Sequence, residues 1–447
     1  MDFIGKTAHR THLSRRAVCS VLAGTAVVPT LAACGGPGDR AAGDSAASTV
    51  TGSVSLLYYT STTPAIERMN KQEAGFREKY PDVQLTVEAQ PTGFTDKIAT
   101  LLAAGTPPNV TWIGGAFWDF VGKGVWADLE PIIARDKRFS LKDYYPQALD
   151  AFRWPDKLKA LPYGVNTHTM TFNRQLVQKD GLALPTKDWK VEAFTDLARR
   201  FTIDTDRDGA IDQAGLGNFP AVHVAPYLFG GGYWDTGFTK ATIDSPDSIA
   251  GLEWLYDLQY GPRKVYPTPQ MLEGTNINNL FGAGKVGFYS TGRFAVPVLR
   301  GFSDLDWDMV VYPTGPTGKK STFLSGEGYA MTADTKDRDA AWKLMEYLCG
   351  RESQEQFYLK EGSVIPAIRA VAESKEFADA PPGKNHKAHL DSIEFGVPPT
   401  THPISPRVNG EIITPLWRDV AAGKLPPKEM AREAAQRMND LLREFKQ

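Results

Sequence analysis

Asp204, Asp206, Asp208 and Asp212 stand at positions 1, 3, 5 and 9 of a short run with Gly209 at position 6. Hard carboxylate oxygens at that spacing, with the Ala210 carbonyl at position 7 and glycine for the sharp turn, form the ligand pattern of a calcium loop. Two features depart from it. Position 12 is Gly215, where a bidentate glutamate would close the shell, and no helical pattern follows. A structural Ca²⁺ is therefore an optional clamp, and no cofactor is required. A second set of residues, near predicted strand ends and glycine-rich turns, mixes rings with small polar groups: Tyr59, Ser61, Trp112, Trp118, Asp119, Tyr233 and Trp234. Such a mixture suits a neutral polyhydroxylated solute, whose hydroxyls need polar partners and whose C–H faces lie against rings.

Not every ring belongs to a site. Trp126, Trp254 and Trp342 fit helical or strand cores, whereas Trp118 and Trp234 follow glycine-rich turns and are favoured for contact with solute. Arg293 and Glu327 fit either a site or a structural ion pair. Gly284-Lys285 fails as a phosphate loop, since Asn279 and Val286 stand where glycine and Ser/Thr are needed. No HExxH and no GxSxG pattern occurs, and no catalytic residue is assigned. His386 and His389 lack a third ligand and are expected to be solvated. Two carboxylates meeting from distant segments would still allow a glycosidase.

The elements that would position these groups alternate. Strand patterns at 54–59, 83–89 and 109–113 enclose helical faces from Pro64 and over 94–102, which predicts a mainly parallel sheet with helices on both sides. Ligands in such sheets bind beyond the carboxyl ends of the strands, which places Tyr59, Ser61 and Trp112 at a pocket mouth. A second unit begins near residue 163, with a strand at 167–172, a helix over 189–201, a helix capped by Ser245-Pro246, and amphipathic helices over 337–349 and 427–445.

Ser14-Arg15-Arg16 precedes an apolar, small-residue run over 17–33 without an acidic residue, the form of an export signal of twin-arginine type. The run is short for a membrane span, and Gly24 and Pro29 interrupt it. It ends Leu31-Ala32-Ala33-Cys34-Gly35, which resembles the bacterial lipobox and implies cleavage before Cys34 and acylation of its thiol. Residues 1–33 are thus a signal peptide, and residues 34–52, rich in Gly, Ser and Ala, a lipidated flexible tether. Of the 3 cysteines, Cys349 alone then remains in the body, as a small buried apolar group. A formal charge of -2 without a dense basic stretch argues against nucleic acid as a partner.

Five stretches, in order, resemble the extracellular solute-binding proteins of sugar importers, of maltose-binding-protein type. They are Leu161-Pro162-Tyr163-Gly164-Val165-Asn166 with Thr171-Phe172-Asn173-Arg174, the segment 189–202, Phe281-Gly282-Ala283-Gly284-Lys285-Val286-Gly287-Phe288, Gly326-Glu327-Gly328-Tyr329-Ala330-Met331, and Gly362-Ser363-Val364-Ile365-Pro366. The resemblance implies an α/β, two-lobed periplasmic-binding-protein type II fold, each lobe a mostly parallel sheet flanked by helices and joined by crossing segments. It implies lobe 1 from 53–163 plus 290–336 and lobe 2 from 164–289 plus 337–447. The crossings would lie near 163–166, near 288–290 and around the helix starting at Asp337, which adds Tyr163 and Asn166 at a crossing and Arg293 and Glu327 at lobe edges as candidate contacts with the solute. It further implies a monomer on the outer face of the cell membrane, held there by lipid only, that captures a sugar or oligosaccharide by hinge closure and delivers it to ATP-binding-cassette permease subunits. A glycerol phosphodiester or a peptide is the alternative solute, and a secreted glycosidase the more distant alternative.

Overall fold

In a computed structural model of the chain, the described residues are 50–60, 63–179, 181–218, 221–379, 384–398 and 402–445. The described residues all belong to one compact unit, Thr49–Gln447. The export signal, Cys34 and Ser61 lie outside the described residues. No helix among the described residues is long and apolar enough to cross a membrane.

Among the described residues ten strands follow one another: β1 (Gly52–Tyr59), β2 (Val83–Gln90), β3 (Val110–Ile113), β4 (Ala160–Asn173), β5 (Ala214–Gly217), β6 (Val286–Gly292), β7 (Trp307–Val310), β8 (Thr322–Met331), β9 (Ile365–Pro366) and β10 (Gly396–Val397). Their order is β2-β1-β3-β8-β4-β6-β5, with β7 and β9 also pairing β4 and β10 pairing β8. β1 runs parallel to β2 and β3, as the βαβαβ pattern predicts, and β8 then closes β3 in antiparallel register. The helices between these strands, Thr63–Lys79 and Phe94–Ala103, bury Met69 and Phe76, and Phe94 and Ile98, at helical spacing. Ser245 caps the helix Pro246–Gln259, its side chain accepting from the Ser248 amide, with proline at the first helical position.

Two apolar cores result. The first gathers residues of 54–165, 324–331, 340–377 and Ile393, and the second residues of 170–312 and 388–442. Strand β4 joins them. Its first half pairs β8 while its second half pairs β6 and β7, and its fourteen positions are all buried. The implied division needs correction here. Strand β6 lies wholly with the second core because it pairs β5 and the far half of β4, so the return crossing is β8 and not 288–290. The helix Arg338–Cys349 packs against β1, β4 and β8, burying Trp342, Leu344 and Met345 in the first core, so the third crossing falls between Phe377 and Ala388.

Candidate functional site

Tyr59 closes β1 and Trp112 lies in β3, side by side at the carboxyl ends of neighbouring parallel strands. Their ring centroids are 5.2 Å apart at 32°, and Phe94, first residue of the next helix, meets both rings edge-on at 5.9 and 5.4 Å. Trp112 Nε1 donates to Tyr163 Oη at 3.0 Å. Tyr163 sits where the β4–β8 register shifts between Pro162 and Gly164, an irregularity of the kind that re-aims side chains, and stacks on Tyr358 at 4.1 Å. Gly164 is required beside it: a Cβ there would lie 2.9 Å from the Ile365 carbonyl on β9.

Polar groups close the floor. Glu327 on β8 faces Gly164 in register, and Asn166 Nδ2 donates to Glu327 Oε1 at 3.5 Å, the long limit of a hydrogen bond. A Cβ on Gly114 would stand 3.0 Å from the Trp112 ring and 3.6 Å from Glu327 Oε2, so that glycine leaves both open. Burial pushes the Glu327 carboxyl up to about 7, opposed by the Asn166 amide and the nearby Arg68 guanidinium. Arg68 itself pairs with Glu361 and lies 4.7 Å over the Tyr358 ring. Desolvation opposes its charge, but Tyr358 and Glu361 outweigh that and hold it firmly protonated.

The opposite wall comes from the second core. Asn278, Phe294, Pro297 and Val298 face Tyr59, Trp112 and Glu327 across a cavity of about 520 Å³, within the range of small-molecule sites. Phe294 is 51% and Val298 45% exposed, large apolar groups left open where the two cores face each other.

The structure therefore brings together Tyr59, Trp112, Tyr163, Asn166 and Glu327 on one cavity. Apart from Ser61, which is outside the described residues, the other expected positions lie elsewhere. Trp118 is 7% exposed, packed on Phe117 and Trp154; with Asp119 it borders a separate opening of about 380 Å³ beside Pro403 and Phe445. Burial raises the Asp119 pKa there. Tyr233 belongs to the second core, its hydroxyl donating to the Val222 carbonyl at 3.0 Å; with Trp234 it borders a gap of about 10 Å³, room for at most one water. Arg293 is fully buried and pairs with His386 Nδ1 at 2.8 Å and the Phe377 ring at 3.9 Å, not with Glu327. The expectation that His386 and His389 are solvated is also corrected: each is 1% exposed, because they pack where the chain passes from one core to the other. His389 Nδ1 lies 3.1 Å from the Thr167 carbonyl of β4.

Carboxylate oxygens of Asp204, Asp206 and Asp208 can gather within 4.8 Å of one another. Asp204 accepts the Arg207 and Gly209 amides at 2.7 and 2.9 Å, which folds the loop around them. Asp212 instead accepts the Thr205 amide at 2.7 Å, a bond that lowers its pKa. Gly215 is buried in β5, where a Cβ would come 1.7 Å from the Ala198 carbonyl. A ligating glutamate cannot occupy that position.

Two walls of unlike chemistry thus meet over an aromatic, partly polar cavity. Residues 72–384 match the model of one family, bacterial extracellular solute-binding protein. The chain belongs to that family. Among the relatives of this solute-binding protein, a binding protein of Brucella abortus is 22% identical over 394 residues, covering 86% of this chain and 92% of its own. The galactooligosaccharide-binding protein of Bacillus subtilis is 25% identical over 375 residues, covering 80% and 83%. The substrate-binding protein of an ABC transporter from Listeria monocytogenes, solved with cycloalternan, superposes with a TM-score of 0.78 at 20% identity over 88% of this chain and 99% of its own. The two-lobed α/β fold implied by the sequence is thus the fold observed.

Phe294, Val298, Asn278 and Arg68 line the cavity without having been singled out from the sequence. Phe294 follows immediately on Arg293, and its one local signal is that place, a ring two residues after Gly292.

Proposed function

We propose that this solute-binding protein captures a sugar or oligosaccharide in the cavity between its two cores, by hinge closure, and delivers it unchanged to the permease subunits of an ATP-binding-cassette importer. The observation that carries the reading is the cavity's make-up: the Tyr59–Trp112 platform and Phe294 on opposite walls, with Asn166 and Glu327 between them. Rings take the C–H faces of a pyranose and the polar pair its hydroxyls. A glycosidase needs two available carboxyl groups across the bond, whereas Glu361, the other carboxylate on the wall among the described residues, is held by Arg68. A phosphodiester would set its charge against Glu327.

The reading extends to the N-terminus. Cleavage before Cys34 and acylation of its thiol would tether a monomer to the outer face of the cell membrane. Substituting Cys34→Ala should move the protein from the detergent phase to the aqueous phase of a phase-partition assay. We also assign the 204–212 loop to a structural Ca²⁺ held by Asp204, Asp206, Asp208 and the Ala210 carbonyl, with Asp212 bracing the loop. Millimolar Ca²⁺ should raise Tm, and Asp206→Asn should abolish the rise; unchanged melting with and without chelator removes the assignment.

The capture reading is tested by thermal shift against mono- and oligosaccharides. A ligand at 100-fold over its Kd adds about 2.7 kcal/mol to the folded state. A shift with the sugar recovered intact supports the reading, and a shift with cleavage products replaces it by hydrolysis.

A further inference from the structure

One corner of the cavity, at Asn166 and Glu327, is made of acceptors. Asn166 is buried, and its Oδ1 has no hydrogen-bond partner among the described residues, because the amide nitrogen is turned toward Glu327. Glu327 meets that nitrogen only at the long limit, and Gly114 leaves its second oxygen uncovered. Two acceptors therefore look into one corner.

Charge points the same way. The cavity wall carries Glu327, Glu361 and Arg68, and the Arg68 guanidinium is engaged by Glu361 and the Tyr358 face. Among the described residues Glu327 makes no ion pair, and Arg68 acts on it only from nearby. Arg293, the cation expected nearby, is turned into the interior against His386 and Phe377. A hydroxyl can satisfy one oxygen of such a carboxylate, but only a cation also balances its charge. The elevation of its pKa toward neutrality is the same penalty seen from the empty state. Beside it lie the Trp112 and Tyr59 rings, which attract a cation over their faces.

We propose that the solute is a cationic amino sugar whose ammonium sits between Glu327 and Asn166 Oδ1, with its ring against the Tyr59–Trp112 platform. The three N–H donors of an ammonium match the acceptors present, and its charge replaces the missing counter-ion. The proposal rests on the sugar-capture reading and narrows it.

The test is calorimetry on the intact protein with matched series: cellobiose, its diamino counterpart from chitosan and its di-N-acetyl form, and glucose, galactose and mannose beside their 2-amino and 2-acetamido forms. The amine of at least one series should bind tenfold or more tighter than its neutral partners at pH 7.5. Its affinity should fall by roughly tenfold on acidification to pH 5.5, as Glu327 takes up a proton. Glu327→Gln should erase the preference while leaving the melting temperature level or higher, since the variant relieves a buried charge. Equal or tighter binding of the neutral or acetylated members, or a preference that survives Glu327→Gln, overturns the amine assignment and leaves sugar capture standing. If every member of every series fails to bind, the capture reading falls and this proposal falls with it.

Discussion

Trp112 is fixed by Phe94 edge-on, Tyr59 alongside and Tyr163 at its indole nitrogen. That fixation removes rotamer freedom before the solute arrives, so its face costs little to use. Replacing it by alanine should raise the Kd for a captured sugar at least tenfold, about 1.4 kcal/mol, in calorimetry. Trp112→Phe should lose less, keeping a ring but not the bond to Tyr163. Residues of this kind were legible because strand ends in a parallel sheet point at a pocket whatever the solute. Trp118 and Trp234 were less so, since a glycine turn before a tryptophan says that the chain bends and not which way the ring goes. Arg293 was illegible for another reason: His386, which meets it, is 93 residues away in sequence, and no local pattern reveals such a partner.

At the level of elements, the crossing segments carry a pH response. His168 on β4 lies against Phe294 and Phe323, and burial pushes its pKa down to about 3. His389, under burial and the nearby Arg293 charge, is also held well below the usual histidine range. Folded, these imidazoles stay neutral; unfolded, they take a proton near pH 6.5. Stability is therefore intact above about 6.5 and is lost as pH falls below it. His168 alone accounts for about 2 kcal/mol by pH 5, and urea melts of His168→Phe should show a correspondingly shallower decline. The loop-to-strand junction at Gly215 gives a second prediction. Gly215→Ala should cost about 3 kcal/mol or more, since the new methyl meets the backbone of Ala198. Gly410→Ala, at an exposed position of the π-helical segment Val408–Ile413 with nothing near its Cβ, should add about 0.5 kcal/mol. Helix and strand periods were readable over most of the chain because their apolar spacing is local. The assignment of Arg338–Cys349 to a core was not, because an apolar stripe shows that a helix is covered and not by which sheet.

For the whole molecule, the proposed capture between two cores means that solute would shift an equilibrium by its differential affinity for a closed form. Saturating sugar should lower the radius of gyration in small-angle scattering, and Trp112→Ala should require more sugar for the same change. The interleaving of the cores also bears on how the chain is made. Strand β3 ends at Ile113, but the strand that covers its free edge, β8, does not begin until Thr322. A ribosome adding 5–20 residues per second leaves that edge open for roughly 10–40 s. Neither core can close on a nascent fragment, so the polypeptide has to be shielded through most of its synthesis. A nascent-chain series released at successive lengths should resist protease only once residues beyond β8 and the helix behind it have emerged.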